Sequence, residues 1–284
     1  MALLARILAL LVVTMATVAI KLVPLDMVQD SFNDQYQGCG PAMTKALPAL
    51  YKFEFQKNPL FAKTWVKAKA EWRKRGSHVS PLVSPAQAVA VMAYTMKHLY
   101  KEFNAAVHVA GCSRQEYQNN FHFKMLHFLL TQALVTLRQA QNGQCHQVYR
   151  GVRDVRFQAQ QGQRVRFGQF TSTSPSKEVA QHYGTDTILQ VHTPLPIRNF
   201  FGKMLPIPPF ETFEVTDVNR EGSIHIPGRA SCHILHFWGT LKAGIWEVQE
   251  GKGRSCPWGG TVPVPSWLVG LLERIWRRIC GAGG

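Results

Sequence analysis

Val148-Tyr149-Arg150-Gly151-Val152, Phe170-Thr171-Ser172-Thr173-Ser174-Pro175 and Ile207-Pro208-Pro209-Phe210-Glu211-Thr212-Phe213-Glu214 are three pieces of one stretch, 148–214, in a chain of 284 residues. The first reads as a β-strand ending on an arginine. The second reads as a hydroxyl-rich strand end running into a helix, and the third as a strand announced by two prolines. An arginine fork bonds phosphate bidentately, and a helix N-terminus adds partial positive charge. On neighbouring strands, Arg150 and the hydroxyls around Ser172 form a dock for a phosphorylated ligand.

Working outward, everything after Gly143 has the texture of short strands, at 147–151, 164–171, 187–192, 211–218 and 244–248. Prolines, glycines and one short helix (175–183, stopped by Gly184) separate them. Before Gly143 the period is helical. Residues 59–75 carry Leu60, Trp65, Ala68 and Trp72 at helical spacing with Gly76 as the stop. Ser84-Pro85 with Gln87 predicts a helix start, after which Val89, Met92, Met96, Leu99 and Phe103 share one face. Ser113 with Glu116 repeats the capping box, and Phe121, Met125, Phe128, Leu129 and Leu137 continue as a mostly buried helix until Asn142-Gly143. Residues 20–60 read as irregular, broken by Pro41, Pro48 and Pro59, with 30–40 as a covering segment fixed by Cys39. Helices first and strands second predict an α+β architecture with a subdomain edge near residue 143.

Hydrophobic residues make up 46% of the chain and charged residues 17%, which excludes a disordered protein. Lys plus Arg number 32 against 17 Asp plus Glu, an excess of 15 that suits an anionic surface, a polyanion or a phosphate-bearing ligand. Residues 1–19 have the form of a signal peptide: Arg6, an apolar run from Ile7 to Val13, and small residues up to Ala19. Export places the six cysteines (Cys39, Cys112, Cys145, Cys232, Cys256 and Cys280) in an oxidising compartment, where fifteen pairings are open. No Asn-x-Ser/Thr sequon occurs. His98, His108, His122 and His127 lack the spacing of a zinc site, so no metal is expected. Residues 252–284 form a Gly-rich linker and a basic amphipathic tail, in which Trp267, Leu268, Leu271, Leu272, Ile275 and Trp276 alternate with Arg274, Arg277 and Arg278. Such a helix suits peripheral contact with a membrane surface.

The three opening pieces, in that order, resemble the ecto-type arginine-specific mono-ADP-ribosyltransferases of vertebrates. The resemblance spans 25–251 and includes Gln115-Glu116-Tyr117, the run from Asn120 through Leu137, Tyr149-Arg150-Gly151, and Phe170 to Ser174. It implies one domain, with an N-terminal helical lobe packed on two antiparallel β-sheets around an NAD cleft. It further implies transfer of ADP-ribose from NAD or NADP, a donor substrate rather than a resident cofactor, to arginine side chains of target proteins; nucleic acid is not an expected partner. By resemblance Arg150 holds the NAD phosphates, the Gly151 backbone approaches the nicotinamide amide, and Ser172 positions the ribose. Thr173 and Ser174 are structural, Ser174 as the cap of the following helix.

One part of the family pattern is missing. The family carries a Glu-x-Glu pair ahead of the Ile-Pro-Pro-Phe-Glu strand, and the matching positions fall on or near Gly202 and Met204. Between His192 and Phe210 the chain has no Asp or Glu, and Lys203 stands where a cation must be stabilised. Glu211 and Glu214 belong to the next strand, where the family carries such residues without a catalytic role. This opens an alternative reading, a catalytically impaired relative that binds NAD or a partner without transfer. A basic polyanion or membrane binder is the reading from a third class. The resemblance pairs Cys39 with Cys232 and leaves Cys145 without its usual partner, because Thr193-Pro194 occupies that place. The tail is too short and too charged for the family's lipid-anchor signal, so a secreted or surface protein without that anchor is expected.

Overall fold

The computed structural model describes residues 20–96, 99–140, 145–194, 205–218 and 223–226. The signal segment 1–19, the loop 195–204, the strand expected at 244–248, the linker and tail, and Cys232, Cys256 and Cys280 lie outside them.

Six helices build the N-terminal lobe: α1 (Gly40–Lys57), α2 (Pro59–Lys74), α3 (Pro85–Tyr94), α4 (Leu99–Val109), α5 (Arg114–Asn119) and α6 (Lys124–Ala140). The Ser84 and Ser113 caps act as read, and Asn58, not singled out from sequence, caps α2. The Asn58 side chain accepts from Phe61 N, Ser84 from Gln87 N and Ser113 from Glu116 N. Gln87 returns its Oε1 to Val83 N at 2.9 Å, one residue earlier than an ideal capping box.

The irregular reading of 20–60 is corrected by α1, an 18-residue helix through two of the three supposed breakers. Pro41 sits in its first turn, where no N–H is needed. Pro48 lies inside and forfeits a backbone bond, at about 3 kcal/mol. Against that, Ala42, Met43, Ala46, Leu50 and Phe53 are all buried, and each large apolar side chain contributes about 1.5–3 kcal/mol. Packing wins over propensity. The covering segment 30–40 is core as well: Phe32 is buried and stacks on Tyr117 at 4.5 Å.

The strands form three small sheets among the described residues. The central one runs β2 (His146–Val152), β5 (Thr187–Thr193), β8 (Ser223–Ile226), β7 (Asp217–Val218); β2–β5 and β7–β8 are antiparallel and β5–β8 parallel. β4 (Arg164–Arg166) pairs antiparallel with β6 (Thr212–Glu214), Val165 opposite Phe213. β1 (Lys21–Pro24) pairs parallel with β3 (Val155–Gln158), a contact the sequence did not announce. Strand and helix lobes share one core, in which Phe103 stacks on Phe170 at 5.2 Å.

Two buried polar groups hold the helical lobe. The Glu54 carboxylate accepts from Lys124 N at 2.6 Å and Met125 N at 3.1 Å, capping α6 from a residue on α1. His127 is fully buried, so its Nε2–H donates to the Phe32 carbonyl at 3.3 Å and its Nδ1 accepts from the Tyr36 hydroxyl at 2.8 Å. Burial lowers its pKa to about 3, far below the unfolded value of about 6.5. The unfolded chain therefore binds the extra proton first, and stability present above pH 6.5 is lost as pH falls toward 3. Between pH 7.5 and 5 this one group costs about 2 kcal/mol. Urea melts across that range check it; His127→Gln, which keeps a donor and an acceptor, flattens the profile.

Candidate active site

Arg150 stands on β2, opposite Leu189 of β5. Val148 and Gly151 on this strand are buried, whereas Arg150 is half-buried. Next to β2 runs the segment 170–174. Tyr149 and Ser174 exchange backbone bonds, N to O at 2.7 and 2.8 Å, which fixes that segment against the strand. On its other side Thr171 and Ile207 exchange bonds at 2.8 and 2.9 Å. The arginine strand, the hydroxyl segment and the Ile-Pro-Pro segment are therefore side by side, and the two prolines sit just beyond the last ladder bond, where no N–H is required.

Arg150 and Ser172 meet directly. Arg150 Nη1 donates to the Ser172 carbonyl at 2.9 Å, and Ser172 is itself exposed. Among the described residues one N–H of five is used and no carboxylate is paired with this guanidinium. Burial lowers the pKa of Arg150, offset by the nearby Tyr94 and Tyr100 hydroxyls; it stays a cation at neutral pH. A half-buried cation with open donors beside an exposed hydroxyl is suited to gripping a phosphorylated sugar.

Two residues of the helical lobe, Tyr94 and Asn104, hold this geometry and were not singled out from sequence. Asn104 brackets Phe170: Nδ2 donates to its carbonyl at 2.8 Å and Oδ1 accepts from its N–H at 3.2 Å. The Tyr94 hydroxyl donates to the same carbonyl at 2.8 Å. Burial raises the Tyr94 pKa, and hydrogen bonds from the Asn104 and Ser172 side chains and the charge of Arg150 lower it again. The one available signal was an amide on the apolar face of α4, next to Phe103. We expect Asn104→Leu to raise the KM for NAD about tenfold with a smaller change in kcat, since it orphans the buried Phe170 N–H two residues before Ser172, while Tyr94 still serves the carbonyl. An unchanged KM would remove Asn104 as a positioning residue.

Gly151 has a packing role beside the one the resemblance implies, and Ser174 departs from expectation. A Cβ at Gly151 would overlap the carbonyl oxygens of Ala180 and Gly184, so the missing side chain lets β2 pack on α7 (Lys177–Gln181). Ser174 does not cap α7: the cap is Ser176, whose hydroxyl accepts from Val179 N at 3.0 Å, while Ser174 Oγ accepts from Ser176 N. With only five residues, α7 adds little of the helix-end charge anticipated for this corner.

Glu211 is buried and lies 3.8 Å from Arg138 of α6. Burial raises its pKa and Arg138 lowers it. Glu214 faces Arg164 across β6 and β4. Both carboxylates thus have framework positions. The loop with Gly202 and Met204 lies outside the described residues, but Leu205 after it is buried and Ile207 is bonded to Thr171. Cys145 is disulfide-bonded despite lacking the family's partner, as is Cys112. Cys39 is buried at the start of α1.

Residues 25–229 match the family model described as NAD:arginine ADP-ribosyltransferase. The chain is 48% identical over 204 residues to NAD(P)(+)–arginine ADP-ribosyltransferase 2 of Gallus gallus, covering 68% of this chain and 64% of that relative. It is 45% identical over 256 residues to GPI-linked NAD(P)(+)–arginine ADP-ribosyltransferase 1 of Mus musculus, covering 84% and 78%. Among solved structures, a mutant of the eukaryotic mono-ADP-ribosyltransferase ART2.2 in complex with NADH superposes with a TM-score of 0.63 at 30% identity, covering 73% of this chain and 93% of that one.

Proposed function

The chain belongs to the NAD:arginine ADP-ribosyltransferase family, and from that premise we propose that it transfers ADP-ribose from NAD or NADP to arginine side chains of proteins, releasing nicotinamide. The observation that carries the reading is the contact between Arg150 and Ser172 at the junction of three strand segments. In this reading Arg150 takes the diphosphate through its remaining N–H groups and the Ser172 hydroxyl takes the ribose. Gly151 supports the nicotinamide side with its backbone. Breaking the bond to nicotinamide leaves positive charge on the anomeric carbon, and a guanidine nitrogen of the target attacks it. NAD is consumed as a substrate, so no resident cofactor is needed.

A second reading, binding without transfer, rests on the sequence between His192 and Phe210, which holds no carboxylate to stabilise that cation. Incubation with labelled NAD and agmatine separates the two. The transferase reading expects ADP-ribosyl-agmatine above the background without protein, at a slow rate. Saturable NAD binding with no agmatine product would favour the second.

We read 25–251 as one catalytic domain, 1–19 as its export signal and 252–284 as linker and tail. Cell-surface or secreted placement is supported by that signal pattern, by the bonded cysteines and by the GPI-linked relative. Among the described residues no helix is long and apolar enough to cross a membrane. Membrane contact through the tail is part of the same proposal; retention of the full chain on anionic liposomes, lost when residues 262–284 are removed, is the expected result.

A further inference from the structure

A cavity of about 360 Å³ opens between α1, α2, α3 and α6, with neither Arg150 nor Ser172 in its lining. Leu47, Trp65, Trp72, Val89 and Leu129 form its walls, and among the described residues Lys69 is the only charged one lining it. The indole N–H of Trp72 is occupied by the His78 carbonyl at 2.8 Å, so that wall offers apolar surface. Lys69 is exposed and sits on a helix with Lys63, Lys67, Arg73 and Lys74 against one carboxylate, Glu71. An apolar cleft of this size, roughly 300 Å³ or more, is what a small ligand occupies. A single cation at its rim selects the sign of the ligand's head.

We propose that this cavity binds a single-chain amphiphile with one anionic head, of the fatty-acid class. The aliphatic chain lies between the two tryptophans and the α3 and α6 wall, and the carboxylate pairs with Lys69. The competing occupant is this chain's own tail, 262–279, but it carries Arg274, Arg277 and Arg278 against one carboxylate, Glu273, a net charge of the wrong sign for Lys69 and for the basic α2.

Laurate titrated into the full chain, followed by calorimetry and tryptophan emission, tests the assignment. The expected result is saturable binding of one laurate per chain. Lys69→Glu, at an exposed position, weakens it about tenfold by turning attraction into repulsion. The same variant gains affinity for dodecyltrimethylammonium, which the unaltered chain does not bind. Ala86→Trp, at the half-buried rim, abolishes laurate binding while the thermal melt is retained. Non-saturable uptake, or equal laurate affinity in Lys69→Glu and Ala86→Trp, would overturn the proposal. So would laurate binding that appears only after residues 252–284 are removed, since the tail would then be the occupant.

Discussion

Met204→Glu is expected to raise the rate of nicotinamide release from NAD about a hundredfold, and adding Gly202→Glu to direct that gain onto agmatine. The reaction develops positive charge on the anomeric carbon, and a carboxylate aimed at it in a partly dry site contributes more than in water. The chain has no Asp or Glu between His192 and Phe210, and Lys203 adds the opposite sign. Position 204 is three residues before Ile207, whose backbone is bonded to Thr171, the neighbour of Ser172. Single-turnover and steady-state assays with both variants measure the effect. Unchanged rates would mean that another group already supplies the charge, or that the family register does not fall on Gly202 and Met204.

Glu54→Ala is expected to cost about 3–5 kcal/mol of stability, a large part of what a domain of this size possesses. Glu54 is fully buried, and its carboxylate caps Lys124 N and Met125 N. Burial raises the Glu54 pKa and lowers that of Lys124, and each charge opposes the other's shift. The Lys124 ammonium donates to the Phe121 carbonyl at 2.6 Å and lies 5.0 Å from the Tyr117 ring centre. Removing the carboxylate strands a buried cation and opens the first turn of α6. Urea denaturation checks the loss; Glu54→Leu with Lys124→Met recovers most of it, because no unpaired charge remains. A cost below about 1 kcal/mol for Glu54→Ala would show that the pair is incidental.

What the sequence disclosed follows from where the determining interactions are local. β2 and β5 announce themselves by β-branched residues between glycines and prolines, α2 and α6 by helical spacing, and α3 by spacing and its Ser84 cap. α1 did not, because its stability comes from burying one face against α2 and α6 and outweighs Pro48. The parallel pairing of β1 with β3 joins distant parts of the chain and leaves no local signature. Arg150 and Ser172, which the structure brings into contact, were picked out because both lie in motifs. Asn104 and Tyr94 were not, since their partner is the backbone of Phe170 and nothing near them in sequence names it. The cap moved from Ser174 to Ser176 because Ser174 spends its backbone on Tyr149.

The most direct measurement is calorimetric titration of NAD into the full chain and into Arg150→Ala. The variant's melt and its affinity for nicotinamide riboside, which has no phosphate, serve as controls. Loss of a charged donor to the diphosphate predicts NAD binding weaker by about tenfold to a hundredfold, with riboside binding unchanged. Equal NAD affinity in both proteins would place the dinucleotide elsewhere and contradict the account.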